Sequence, residues 1–284
     1  MRVAVYDMAE RPATFDIVPW IATVDAMAGY EVVRFVVLAD RFRDRSPKDK
    51  ALSAADKMAR VERVIVPACR LLPGAGVEMI TDPARAEEWR RRSDALKPST
   101  FVAETIRQHA AGRDVRRLRA SVPSPHPGAA VITIRQNPAV PEKNCDIGEW
   151  LGAASTLMAE GHDVVMVPDT ATAAGRLPQG FRWCREAAID LSVRAALYQE
   201  AACSLSMGVG PMHIAMHMRA TRYVCFVKHR SPLVERPEDY ERKWGLKWGQ
   251  QLPFAGPGQI IEYRQDDEDV IVEAFRRTQV RAAA

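Results

Sequence analysis

Short apolar runs alternate with longer stretches of helical spacing from the first residues of this chain onward. Residues 2–6 are a brief apolar run that reads as a strand. Over 15–29, Ile17, Trp20, Ile21, Val24 and Met27 fall on one helical face, and Gly29 suits the C-terminal stop. The β-branched run EVVRFVVLA at 31–39 predicts a second strand. After a charged loop at 40–49, the spacing predicts a helix over 51–60 and a third strand over 63–67. This alternation favours parallel pairing through crossover helices. Beyond it, 83–92 and 100–111 read as helices and 115–120 as a strand.

The densest proline cluster follows, Val122-Pro123-Ser124-Pro125-His126-Pro127-Gly128. Proline fixes its own φ and restricts the residue before it, so the cluster reads as a linker between two domains, 1–122 and 129–284. The pattern then restarts. Strands are expected at 129–134, 162–167, 203–206 and 223–227, with helices at 149–161, 191–202 and 211–218 between them. A Trp- and Gly-containing loop at 244–258 leads to a strand at 259–263 and a helix opened by Asp266 or Asp267. The fold class is α/β with parallel sheets.

Length and composition narrow the picture. At roughly 100–200 residues per domain, 284 residues favour two domains. Hydrophobic residues at 47% and charged residues at 27% support two buried cores and argue against bulk disorder. A net charge of +4 is small for this length, whereas a nucleic-acid binder usually concentrates basic residues on one face. Five cysteines, Cys69, Cys145, Cys184, Cys203 and Cys225, are odd in number and lack a C-x-x-C pair, which argues against a zinc ribbon or a disulfide framework. Cys203 and Cys225 lie in apolar runs and read as core residues. The opening MRVAVYD enters a strand at once and carries no signal-peptide apolar region. No stretch approaches the roughly 20 apolar residues that span a bilayer. The expectation is a cytoplasmic protein without a transmembrane segment.

The chemistry concentrates in SLSMGVGPMHIAMH, where a strand ends at Gly208-Val209-Gly210-Pro211 and a helix begins. Glycine permits the tight turn and Pro211 suits the first helical position. The first turn exposes amides with no intrahelical partner, and these favour an anion such as phosphate. A plain strand-to-helix turn needs the same glycines for geometry alone. Arg135 ends the first strand of the second half, at the sheet edge where ligands collect in open α/β folds. Its guanidinium suits bidentate pairing with a diphosphate. An ordinary surface ion pair is the alternative.

The run Gly208-Val209-Gly210-Pro211-Met212-His213-Ile214-Ala215, with the strand at 223–227, resembles the donor-binding element of GT-B glycosyltransferases, closest to the bacterial heptosyltransferase-like group. Ile134-Arg135, Glu149-Trp150 and the stretch 188–201 are similar to bacterial glycosyltransferases of unassigned specificity. The resemblance covers about 100 residues of the second half; the first half matches in layout alone. It implies two Rossmann-like domains facing a central cleft, an acceptor side in 1–122 and a nucleotide-sugar side in 129–284. The donor diphosphate would meet Gly210, Met212 and His213, with Arg135 across from it, and Asp169 and Thr170 near the same edge. Asp190 and Arg194 would face the nucleotide, although Asp190 is equally placed to be a helix N-cap.

An inverting transfer needs a base for the acceptor hydroxyl. In the resembled enzymes it comes from the loop after the first strand, which here holds Asp7, Glu10 and Asp16. Asp16 is the catalytic candidate, with a carboxylate at a helix start as the alternative. The implied activity is metal-independent hexosyl or heptosyl transfer from a nucleotide-diphosphate sugar to an unknown hydroxyl acceptor. No other cofactor, and neither a nucleic-acid nor a membrane-spanning role, is expected. A nucleotide-sugar-binding protein or inactive homologue, and an epimerase or hydrolase of the same ligand, are the rivals. His213 and His217 stand four apart, but Ile214 replaces the glutamate of a zinc-protease helix and no third ligand is evident. Asp267-Glu268-Asp269, the Arg41, Arg43 and Arg45 series and Arg90-Arg91-Arg92 read as solvated surface. Trp244, Trp248 and Phe254 read as pins for their loop, or as a stacking platform for a sugar or base.

Overall fold

The strands form two sheets, each wholly parallel, in a mixed α/β fold. In the computed structural model, which describes residues 1–45, 50, 52–137, 141–208, 210–227 and 237–280, the first sheet has the order β1-β2-β3. It comprises β1 (Arg2–Asp7), β2 (Val33–Leu38) and β3 (Gly76–Ile80). The second has the order β6-β5-β4-β7-β8-β9. Its strands are β4 (Ala130–Thr133), β5 (Val164–Val167), β6 (Arg182–Trp183), β7 (Cys203–Met207), β8 (Tyr223–Phe226) and β9 (Gln259–Glu262). Every residue of β4, β5, β7, β8 and β9 is buried. Strands covered on both faces have no polar side to show, which is why they read as continuous apolar runs. The chain order reverses between β4 and β7, and in open α/β sheets ligands collect at the carboxyl ends of the strands beside such a switch point.

Two expectations for the first half are corrected. Residues 63–67 are helical, within a continuous stretch of α2 (Ala54–Arg60), a π-helical segment (Val61–Ile65) and α3 (Val66–Cys69). A capping box between Ser53 and Asp56 starts the helix. Val61, Ile65, Ala68 and Cys69 then bury one helical face, so the β-branched run follows a helical period. The third strand is instead β3, whose Gly76, Val77 and Glu78 carry no alternating apolar signal. The expected strand at 115–120 is reduced to one antiparallel bridge, Arg117 to Met218.

That segment ties the halves together. Arg119 N–H donates to the Leu71 carbonyl at 2.8 Å, Leu118 N–H to His217 at 3.3 Å and Ala120 N–H to the Gln199 side chain at 2.8 Å. Arg117 pairs with the buried Asp25 at 2.9 Å, on α1 (Ile17–Met27). Buried side chains of both halves, Trp20 and Phe35 in one and Trp150 and Phe226 in the other, belong to one continuous core. All five cysteines are buried, free thiols. Among the described residues no helix is long and apolar enough to cross a membrane.

The remaining helices are α4 (Pro83–Arg91), α5 (Val102–Ala110), α6 (Ile147–Ala159), α7 (Glu186–Ile189), α8 (Leu191–Glu200), α9 (Met212–Met216), α10 (Pro237–Trp244) and α11 (Glu268–Val280). The last docks on α6 through polar contacts. Trp150 Nε1 donates to Asp266 at 2.8 Å, Thr156 Oγ1 to Glu268 at 2.6 Å, and Glu149 accepts from the Glu268 amide at 2.7 Å. A Cβ on Gly152 would lie 2.2 Å from Glu268 Oε2, so only glycine lets α11 approach. Asp267 and Asp269 are exposed as expected, but Glu268 between them is a docking residue.

Candidate functional site

The carboxyl ends of β5, β4 and β7 lie side by side. Thr133 is in register with Val167 on one side and Ser206 on the other, so two residues later Arg135 stands between Asp169 and Gly208. Neighbouring strands are about 4.8 Å apart, which places these residues on one edge. Asp169 organises the loops there: its Oδ2 accepts from the Gln136 amide at 3.3 Å and its Oδ1 from the Ala171 amide at 3.0 Å. Thr170 Oγ1 donates to the Ala188 carbonyl at 2.7 Å, joining this loop to α7. Arg135 is half-buried at the centre.

The glycine turn follows β7; Val209 lies outside the described residues. Gly208 donates its amide to the Phe226 carbonyl at 2.6 Å, and a Cβ on it would meet Val227 at 3.3 Å and that same carbonyl at 3.4 Å. Packing against the end of β8 therefore explains this glycine. Gly210 accepts from the His213 amide at 3.1 Å and Pro211 from the Ile214 amide at 3.0 Å, forming the start of α9. Among the described residues the Gly210 and Met212 amides have no hydrogen-bond partner. Pro211 is the N-cap of α9, one position before its expected place. Met212 is fully buried.

The first half reaches this turn through the start of α1. A Cβ on Gly210 would stand only 2.8 Å from Phe15 Cβ, and Phe15 immediately precedes Asp16, the N-cap residue of α1. The Asp16 side chain makes no capping hydrogen bond, whereas Asp190 accepts from the Ser192 amide at 2.7 Å and caps α8. Arg194 is 2% exposed; its Nε donates to the Ala187 carbonyl at 2.5 Å and its guanidinium lies 5.6 Å from the Phe15 ring centre. Residues from both halves thus converge on Phe15 and Gly210.

His213 and His217 are deeply buried on the short helix α9 and its C-cap. Burial lowers His213 to about 4 and His217 to about 3, so both rings are neutral at neutral pH. His217 Nδ1 lies 2.7 Å from the His213 carbonyl, and His213 packs 5.5 Å from Trp244. Trp244 stacks on Tyr240 at 5.4 Å, Trp248 meets Tyr263 edge-on at 5.1 Å, and Phe254 is buried, so these aromatics pin their loop beside α9. No group of three or more potential metal-ligating side chains occurs among the described residues.

Sequence reasoning missed one charged constellation. Arg90 does not lie on a solvated helix surface: it is 13% exposed and bridges Asp7 and Asp40. Its Nε meets Asp7 at 2.8 Å and its Nη atoms meet Asp40 at 2.5 and 3.0 Å. Burial pushes Asp40 up, but the Arg90 hydrogen bonds and charge draw it below the usual carboxylate range. The cluster locks the carboxyl ends of β1 and β2. Glu10, from the same loop as Asp7, pairs with Arg45 at 2.7 Å. Asp7 and Glu10 serve these ion pairs, and Asp16 stands at the junction of the halves.

No protein-family model and no curated protein matches the sequence. Solved structures do match the fold. The structure of E. coli ADP-heptose LPS heptosyltransferase II is similar over 100% of both chains, at 11% identity and a TM-score of 0.55. E. coli heptosyltransferase WaaC with ADP is similar over 100% of both chains, at 12% identity and a TM-score of 0.52. Over its full length the chain is thus similar in fold to these two proteins.

Proposed function

We propose that this chain is a glycosyltransferase of the GT-B type, moving a sugar from a nucleoside-diphosphate donor to a hydroxyl acceptor without a metal ion. In this reading 1–122 and 129–284 are Rossmann-like domains, the first on the acceptor side and the second holding the donor. The observation that carries it is the convergence of Arg135, Asp169 and the Gly210 turn on one sheet edge with the Phe15-Asp16 helix start of the first half. The likeness to heptosyltransferases, one of them described with ADP, supports a donor of that class.

In the transfer, the acceptor oxygen bonds to the anomeric carbon as the bond from that carbon to the diphosphate oxygen breaks. Asp16 takes the hydroxyl proton. The departing nucleoside diphosphate gains negative charge, which the Arg135 guanidinium and the Gly210 and Met212 amides stabilise. His213, held neutral by burial, contributes an N–H donor rather than a full charge. Asp169 orients the Gln136 loop beside Arg135, and Thr170 secures the neighbouring one. Asp190 orders the start of α8, which carries Arg194.

A thermal-shift series with ADP, UDP and GDP tests the donor site. At a nucleotide concentration about 100-fold above Kd, binding contributes about 2.7 kcal/mol, a shift of several degrees. Arg135→Ala is expected to abolish the shift while leaving the unliganded Tm within about two degrees. A full shift in that variant overturns the placement of the donor. Sugar transfer lost in Asp16→Asn with donor binding retained supports the enzyme; binding without turnover in the parent chain supports a nucleotide-sugar-binding protein instead.

A further inference from the structure

Several guanidinium groups elsewhere in this molecule are held by buried or half-buried carboxylates. Arg90 has Asp7 and Asp40, Arg117 has Asp25, and Arg264 and Arg277 share Glu262. Arg194 departs from that pattern. It is 2% exposed, forms no salt bridge among the described residues, and its Nη2 is buried without a hydrogen-bond partner. The nearby Asp190 is committed to the Ser192 amide. The Ala187 carbonyl accepts from Nε, and the face of the cation rests on Phe15. A buried charge lacking a counter-ion is costly, and the aromatic face returns only a part of that cost.

Phe15 has a second contact that gives this a direction. Its Cβ lies in the space that a side chain on Gly210 would need, so the same ring covers the guanidinium and blocks the glycine turn. Phe15 is also covalently next to Asp16. We propose that Phe15 is a gate over an anion-binding arginine: a phosphate group displaces the ring, pairs with Arg194, and by moving Phe15 repositions Asp16. This rests on the donor site proposed above and adds an order to it. The donor binds first, and its binding sets the base for the acceptor. Arg194 is a ligand contact in this scheme, and Phe15 is a positioning residue.

Inorganic pyrophosphate is the probe, with phenylglyoxal labelling of arginine read by peptide mass spectrometry. In the parent protein the Arg194 peptide is expected to resist labelling. In Phe15→Ala it should label at least about tenfold faster, and saturating pyrophosphate should protect it; a tenfold change corresponds to about 1.4 kcal/mol of gate closure. Phe15→Leu keeps most of the packing volume and should fall between the two, so a folding defect in the alanine variant does not decide the matter. By calorimetry, Arg194→Met should lose at least tenfold in pyrophosphate affinity and yet raise the unliganded Tm, because it removes an unpaired buried charge.

An Arg194 peptide that stays unreactive in both Phe15 variants overturns the gate. An Arg194→Met protein that melts lower and binds pyrophosphate unchanged overturns the anion role. If pyrophosphate binding depends on Arg135 but on neither Phe15 nor Arg194, this inference falls and the donor site stands. If no variant and not the parent protein binds pyrophosphate, both fall.

Discussion

At the scale of single residues, burial decides the charge state of the groups that matter. His213 and His217 sit well below the ordinary histidine value of 6.5, at about 4 and about 3. The unfolded chain takes up protons on both as pH falls through 6.5, while the folded chain does not. Their contribution to stability is therefore present above 6.5, declines as pH falls towards 4, and continues to decline towards 3 for His217. Asp25 acts in the opposite sense. Burial raises it to about 6 against the pull of Arg117, so its contribution is full below 3.8 and is lost as pH rises through 6. Two histidines outweigh one aspartate, so urea denaturation between pH 6.5 and 4.5 should show falling stability. His217→Leu should remove about one proton from that dependence, or about 1.4 kcal/mol per pH unit. An unchanged slope in this variant would refute the assignment.

The same scale marks what the sequence could not reveal. Arg90 stands in a run of three arginines on a charged helix and looked like surface. Its partners Asp7 and Asp40 are 83 and 50 positions away, and nothing local indicates such a meeting. Arg135, by contrast, was legible at its edge because a buried strand ends just before it. Asp190 was legible in two roles. The folded chain shows the capping role, with the Ser192 amide as its partner.

At the scale of elements, the second half was easier to read than the first. Its strands are covered on both faces and are separated by helices, so hydrophobic runs and strand limits nearly coincide. The first half conceals its third strand in GVEMI, an edge segment with exposed positions, and presents a β-branched run that folds as helix. A local cue was available there. Ser53 and Asp56 exchange hydrogen bonds at the start of α2, at 3.1 Å from the Asp56 amide to Ser53 Oγ and 3.1 Å from the Ser53 amide to Asp56. Ser53→Ala should destabilise the chain by about 1 kcal/mol without altering nucleotide binding. Equilibrium urea unfolding measures the first quantity and the thermal-shift series the second. A loss of nucleotide binding in this variant would show that α2 supports the site more directly than its position suggests.

At the scale of the whole molecule, the proline-rich stretch marks a change of sheet but not a break in the core. The segment just before it is bonded to both halves, and apolar side chains from each pack into one interior. The candidate site occupies the same junction, where Phe15 meets Gly210.

The concealed thiols turn this arrangement into a built-in set of clocks. Cys69 reports from the first half, Cys203 and Cys225 from the strands of the second, and Cys145 and Cys184 from the loops around the arginine edge. In pulsed alkylation under mild denaturant, Cys69, Cys203 and Cys225 should react with a common time course, because a continuous interior opens as one unit. Cys145 and Cys184, nearer the rim, should run ahead of them and slow when ADP is added. Separate time courses for Cys69 and the strand pair would mean that the halves open independently.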